Sequence, residues 1–327
     1  MSDGDRMETD DRQVDAIEDE ASVVEAESEE QAVEQATGLS AKLIYEVVRR
    51  NGDEELARPK TSLIYSGVAA GVMISLSVLG EAIFRTHLPD QPWRHLVENL
   101  GYSLGFLVVI LGRMQLFTEN TITTVLPLMA RPSWGVAARV ARLWGIVLGA
   151  NLVGVFAAAL LFAYTEAIPG ELRPALFALS EHAVTMGAWQ GFMRGIPAGV
   201  LIASVVWMMP RSEGMAFFVI LTFTWLIAAG DFTHIVAGSV EMAYLLVLGE
   251  LPVPSAVFAF FLPVLLGNVV GGTAIFSALA WGQVKDEIRE RRERQRRERE
   301  REAERDTLRD RAARARGAKA RRVTADT

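Results

Sequence analysis

LFTENT (residues 116–121) stands near the middle of one long apolar stretch, and DFTHIV (231–236) stands near the middle of another, about 115 residues later. Aligned by their Phe-Thr pairs, Phe117-Thr118-Glu119 and Phe232-Thr233-His234 occupy matching positions. The flanks agree: GVAAGVMI (67–74) echoes GIPAGVLI (195–202), and Asn151-Leu152-Val153-Gly154 echoes Asn268-Val269-Val270-Gly271. Each copy has room for three membrane spans, an odd number, so the second copy enters the membrane from the opposite face. Inverted three-span repeats with interrupted helices build a site at the bilayer midplane in many channels and transporters. The sequence therefore predicts a pore.

Half of the 327 residues are apolar, and they concentrate between about 61 and 283 in windows of 20 or more nearly uncharged residues. That is the length needed to cross ~30 Å of hydrocarbon. A soluble helical core would instead show polar faces at helical period, which these stretches lack. No cysteine is present, which excludes disulfides, thiolate metal sites and cysteine nucleophiles. The acidic amino terminus does not read as a cleavable signal.

The spacing predicts an all-α polytopic membrane protein. Its six spans fall at about 62–84, 97–130, 138–164, 187–209, 214–248 and 255–283. The second and fifth, about 34 residues each, are too long for one crossing and carry polar breaks expected near 116–119 and 230–234. Unwound backbone at that depth is tolerated where it is buried in protein or lines a cavity. Residues 1–38 are rich in Asp, Glu, Ser and Gln and read as a disordered acidic tail. Residues 39–60 read as an amphipathic pre-membrane helix, lying on the lipid surface or docking on a neighbouring subunit. Residues 61–283 form the membrane domain. Residues 284–327, a run of Arg and Glu, read as a solvated charged helix able to touch anionic lipid headgroups. The tail has no aromatic residue for stacking, which argues against nucleic-acid binding.

Basic residues set the orientation. Arg49, Arg50, Arg58, Lys60, Arg131, Arg139, Arg142 and Arg211 flank one side; Arg85, Arg94 and Arg173 are the few on the other. By the positive-inside rule both termini are cytoplasmic, as expected of a multi-pass protein of the cytoplasmic (inner) membrane.

An interrupted helix leaves amides at the start of its second half, and those amides favour an anion. Thr118 is placed to cap a half-helix beginning at Glu119; Asp231 or Thr233 is placed to cap the half-helix bearing His234. His234 is the histidine set deep in a span, and an ionisable residue there defaults to function. Its ordinary pKa would let it exchange a proton with a passing weak acid. If Glu119 and His234 are repeat equivalents, they pair across the pseudo-twofold axis; the alternative has Glu119 pairing with Arg113. Asn151 and Asn268, flanked by glycines, read as structural supports for the breaks, and Arg113 and Asp231 as charges that neutralise something nearby. There is no nucleophile–base pair, metal-ligand cluster or phosphate loop, so no enzymatic activity, metal or cofactor is expected.

LFTENT, the His-bearing second break, LLGNVVGG (265–272) and AAGVMIS (69–75) together resemble the formate/nitrite transporter family over the whole core, about 62–283. The resemblance implies an aquaporin-like protomer, a homopentamer with one pore per subunit, and passage of small monovalent anions. It makes Thr118 the loop threonine facing His234, with Leu116, Phe106 and Tyr102 at constrictions and Ile227 where an aromatic usually narrows the path. The chain departs from the family pattern in four places. Glu119 replaces a small residue, Thr233 replaces a Glu, Gly199 stands for a pore-facing Asn, and Ala183 stands near an expected vestibule lysine. The loss of cationic groups and the presence of Glu119 keep open a pore for a small neutral solute, and the long charged tails keep open a non-conducting membrane scaffold.

Overall fold

The computed structural model describes residues 40–212 and 214–287, with single positions between 289 and 301. The acidic segment 1–38 and most of the charged segment 284–327 lie outside the described residues. All secondary structure among the described residues is helical.

Helix α1 (Ala41–Ala57) starts where the Ser40 hydroxyl oxygen accepts from the Leu43 amide at 3.3 Å. Ile44, Val48, Gly52 and Leu56 recur every fourth residue and form its buried face. That face packs on the same chain, where Tyr45 and Val48 meet Ile122, Leu126, Ala203 and Val284. Neither lipid nor a second subunit is needed to cover it. A Cβ on Gly52 would stand 1.9 Å from the Thr123 carbonyl oxygen, so glycine is what permits this approach. On the outer face Arg49 bridges Glu46 and Asp53, and Asp53 also pairs with Arg131.

Helix α2 (Lys60–His87) follows Pro59, and the short α3 (Arg94–Glu98) leads into α4 (Ser103–Leu111). Helical bonding stops there and resumes with α5 (Phe117–Thr123), then α6 (Val125–Ala130). Helix α7 (Trp134–Tyr164) and α8 (Arg173–Val184) precede α9 (Ala188–Met208). Helix α10 (Ala216–Ala229) stops and α11 (Ile235–Leu248) resumes. The final helix, α12 (Ser255–Glu287), is π-helical over Ser255–Phe261 and Val270–Ser277. Pro263, which has no N–H to give, stands just past the first of these wider stretches. Four helices, α2, α7, α9 and α12, are long and apolar enough to cross a membrane.

Two helix pairs are locked by glycine. A Cβ on Gly71 of α2 would lie 2.1 Å from the Asn151 carbonyl oxygen of α7, and one on Gly154 would lie 2.2 Å from that of Val68. Between α9 and α12, a Cβ on Gly199 would lie 2.3 Å from the Asn268 carbonyl oxygen, and one on Gly271 would lie 2.1 Å from that of Ile196. Gly199 therefore sits in a helix–helix seam, and the pore-facing position expected of it is not what it occupies. Gly149, expected in a similar seam, has open space around it. In lipid, such close contacts carry the association that water would otherwise drive.

Gly71→Ala and Gly199→Ala are each expected to force a helix pair apart and lower stability by about 1–3 kcal/mol. Gly149→Ala is expected to be tolerated. Thermal unfolding in detergent would decide, and equal melting for all three would refute the seam. Arg49, hydrogen-bonded to Glu46, holds that carboxyl at about 2, well below its ordinary 4.5. The support this gives α1 is complete above about pH 4.5 and fades as pH falls toward 2. Proteolysis at α1 is therefore expected to accelerate below pH 4.5, and to do so less in Glu46→Gln.

Candidate functional site

The ends of α4 and α10 are built alike. Gly112 donates its amide to Val108 O, Arg113 to Ile110 O and Met114 to Val109 O. Gly230, Asp231 and Phe232 donate in the same way to Leu226, Ala228 and Ile227. Both turns pass through a left-handed residue that is not glycine: Arg113 at φ 50° and Asp231 at φ 57°. A turn of this kind satisfies the last carbonyls of a helix. The residues before the next helices also agree, Leu116 at φ −102°, ψ 127° and His234 at φ −104°, ψ 126°. Backbone geometry thus matches Arg113 with Asp231 and Leu116 with His234. That register differs by three residues from the one given by the Phe-Thr pairs. The non-helical stretch between α4 and α5 is 112–116 and not the expected 116–119, because Phe117 and Thr118 already belong to a helix.

Each interruption is bracketed by an asparagine. Asn151 accepts the Phe117 amide at 3.0 Å and donates to the carbonyls of Gln115 and Gly67, both at 2.8 Å. Asn268 accepts the Ile235 amide at 2.8 Å and donates to Thr233 O at 2.8 Å and Gly195 O at 2.9 Å. Each amide thus satisfies two main-chain groups beside a non-helical segment and also reaches a carbonyl within a neighbouring helix.

The two restarted helices meet through one contact. Thr118 Oγ1 and His234 Nε2 are 2.7 Å apart, both residues almost wholly buried. His234 is itself the cap of α11: its Nδ1 accepts from the Ala237 amide at 3.2 Å. Neither Thr233 nor Asp231 takes that role. With Nδ1 accepting, the ring proton resides on Nε2, which donates to the Thr118 hydroxyl oxygen and leaves the hydroxyl hydrogen free for another acceptor. Phe106 sets its ring edgewise on His234, centroids 5.0 Å apart, and Tyr102 lies against Phe106 at 5.2 Å. Leu116, Phe106 and Ile227 are fully buried.

Glu119 does not join them. Both His234 ring nitrogens are taken by other partners. Glu119 Oε1 is buried with no hydrogen-bond partner, and the charge that acts on it is Glu55 of α1. The expected Glu119–His234 pair rested on the misplaced register and is not formed; nor is the Glu119–Arg113 pair, since Arg113 is solvent-exposed. Asp231 bonds His182 Nε2 at 2.8 Å and pairs with Arg194.

On one side of His234 opens a cavity of about 450 Å³ that has His234, Tyr102 and Asp231 in its wall. Ala183 also lines it. The sequence reading missed its most unusual members, Glu81 of α2 and Glu241 of α11. Both are carboxylates inside apolar helices, the same signal that singled out His234.

The formate/nitrite transporter family model matches residues 42–282. The inner membrane protein YfdC of Escherichia coli (strain K12) is 38% identical over 286 residues, 85% of this chain and 92% of that protein. The formate channel FocA of Haemophilus influenzae is 26% identical over 242 residues, 66% of this chain and 84% of its own. A solved pentameric formate channel with formate bound superposes with a TM-score of 0.61 at 22% identity, covering 69% of this chain and 97% of that one.

Asn151→Ala and Asn268→Ala each strand two main-chain groups beside a non-helical segment, at about 1–3 kcal/mol apiece. Both are expected to abolish a stable fold in detergent. Thr118→Val, which strands only the His234 Nε2–H, is expected to lower melting measurably while leaving the protein folded. A Thr118→Val protein that melts like wild type would show that the Thr118–His234 bond is not made.

Proposed function

The chain belongs to the formate/nitrite transporter family, and from that membership we propose that it is a pore for small monovalent anions such as formate and nitrite. The observation that carries this reading is the buried Thr118–His234 contact between the two restarted helices. It leaves a hydroxyl hydrogen and the adjoining helix-start amides as the donors a passing oxyanion would meet. We take the protomer to be an aquaporin-like, inverted 3+3 arrangement of six spans in which α4/α5 and α10/α11 are the broken second and fifth spans. The matching turns at Gly112–Leu116 and Gly230–His234 support it. In this reading Leu116, Phe106 and Ile227 close the path around His234, Tyr102 lines the approach, and Glu119 faces the α1 side. Asn151, Asn268, Asp231 and Arg113 hold the breaks.

The assembly is taken as a homopentamer in the cytoplasmic membrane with both termini cytoplasmic. The pentameric relative and the clustering of arginines near α1 and between α6 and α7 support it. The cavity then faces outward. A bare carboxylate meets several kcal/mol of desolvation at a closed, apolar constriction, whereas its neutral acid does not. Passage is therefore accompanied by a proton. A second reading, a pore for a small neutral solute, is favoured by one observation: Glu81 and Glu241 face the cavity without a cation partner.

Proteoliposomes should be compared for uptake of formate, nitrite, hydrosulfide, lactate and glycerol across a pH range. Formate and nitrite are expected to move, faster as pH falls. His234→Ala is expected to slow them roughly tenfold or more, the equivalent of one lost hydrogen-bond partner. Movement of glycerol alone would establish the neutral-solute reading, and movement of nothing would leave a scaffold.

A further inference from the structure

The outer cavity holds more acid than an anion's entrance should. Five carboxylates line it: Glu81, Asp90, Glu98, Asp231 and Glu241. Three of them are matched. Asp90 pairs with Arg94 at 2.8 Å, and Glu98 lies between Arg85 at 3.6 Å and Arg94 at 3.5 Å, with His95 at 4.0 Å. Asp231 is held by Arg194 and His182. Glu81 and Glu241 are the remainder. Among the described residues neither has a hydrogen bond or an ion pair, although Glu81 is only 5% exposed. Both line the one cavity, with Glu98 and Asp231 also in its wall and Arg85 one helical turn from Glu81.

A second group independently points to a bound guest. Tyr102 is 6% exposed and lines the same cavity, and its hydroxyl, with no hydrogen-bond partner among the described residues, is open to whatever the cavity holds. It lies in electrostatic reach of both glutamates. The groups facing the pair are then Tyr102 from the α4 entry, Glu98, Arg94 and His95 from α3, and Arg85 from α2. His182 faces it from α8, and Asp231 and His234 from the second interruption. Every arginine among these is already committed to another carboxylate. Two carboxylates without ion partners on one cavity wall repel one another, and a single proton shared out among such acids relieves that repulsion.

We propose that Glu81 or Glu241 carries a proton in the cavity that Tyr102 also lines and donates it to a weak-acid anion entering there, so that the solute meets His234 as its neutral acid. This rests on the anion reading above and supplies the proton that reading requires. The O–H bond of the glutamic acid breaks and its electron pair stays on that carboxylate, while an O–H bond forms on the solute's oxygen. A hydronium ion from the outer solution then returns a proton to the carboxylate and leaves as water. His234 need not be the donor. Accepting a second proton at Nδ1 would cost it the cap on α11.

The test uses the full chain in proteoliposomes, with labelled formate and an internal pH dye, for wild type, Glu81→Gln, Glu241→Gln and the double variant. The double variant is expected to lose formate flux at neutral pH by about tenfold or more, the low end of what a positioned proton donor contributes. Flux should recover as the outer solution is acidified and itself supplies formic acid, while each single variant retains an intermediate rate. Infrared spectra at neutral pH should show a protonated carboxylic acid that is diminished in either single variant, a readout that needs neither transport nor a folded double variant. Wild-type flux and pH profile in the double variant would overturn the proposal. So would faster flux, which would mean the carboxylates merely repel anions, or an unchanged carboxylic-acid signal in both single variants. If wild type moves glycerol but neither formate nor nitrite, the anion reading fails and the donor role fails with it. Formate flux in wild type together with an unaltered double variant would remove the proton donor alone.

Discussion

A peptide group that leaves a helix inside a bilayer finds no water, and the rest of this molecule is arranged around that constraint. Asn151 and Asn268 answer it by supplying from a neighbouring helix the bonds that the interrupted helices lack. An amide is the right group, since it gives two hydrogens and takes one from a single planar end. To reach the interruptions, each asparagine must come within bonding distance of main chain on two other segments. That is possible because Gly71 and Gly199 let the backbones of α2 and α7, and of α9 and α12, nearly touch. Close packing, amide bracket and polar centre are therefore one device, and the position of His234 is its outcome.

Within that device the polarity of the centre is set by hydrogen-bond direction. The Ala237 amide fixes the tautomer of His234, the tautomer makes the Thr118 hydroxyl oxygen an acceptor, and the hydroxyl hydrogen is left to donate elsewhere. The carboxylates lie elsewhere, Glu119 toward α1 and Glu81 with Glu241 in the cavity wall. Acid and donor are thus kept apart.

The helical membrane character and the family were legible from hydropathy and from LFTENT, the histidine and LLGNVVGG. Register was not. The Phe-Thr pairs are a resemblance of side chains, whereas the interruptions are defined by left-handed turns at Arg113 and Asp231. Neither residue is the glycine that would normally announce such a turn, so the sequence carried no local mark of where helix α4 ends. The misplaced register then created a Glu119–His234 pair that the backbone forbids. Gly199 was misread for a related reason, because a glycine in a seam and a glycine in a pore look alike until the facing helix is known. The docking of α1 on its own chain was hidden similarly: Leu39, Leu43, Val47 and Val48 suggested one apolar face, but Leu43 is exposed and the covered face runs through Ile44, Val48, Gly52 and Leu56. Glu81 and Glu241 stand out as charges inside apolar helices, but 160 residues of chain separate them and nothing in the sequence puts both on one cavity wall.

The left-handed turns also make the two halves unequal in what they tolerate. An L-residue in that conformation sits about 1 kcal/mol above glycine. At 231 the carboxylate ties α8 and α9 together through His182 and Arg194, so the strain secures an interhelical anchor. At 113 the side chain is exposed and has no ion pair among the described residues. One turn is therefore under double obligation, to conformation and to charge, while its twin answers to conformation alone. Position 113 is accordingly where the chain has latitude to be made sturdier, and where drift toward glycine would leave no trace on the cavity.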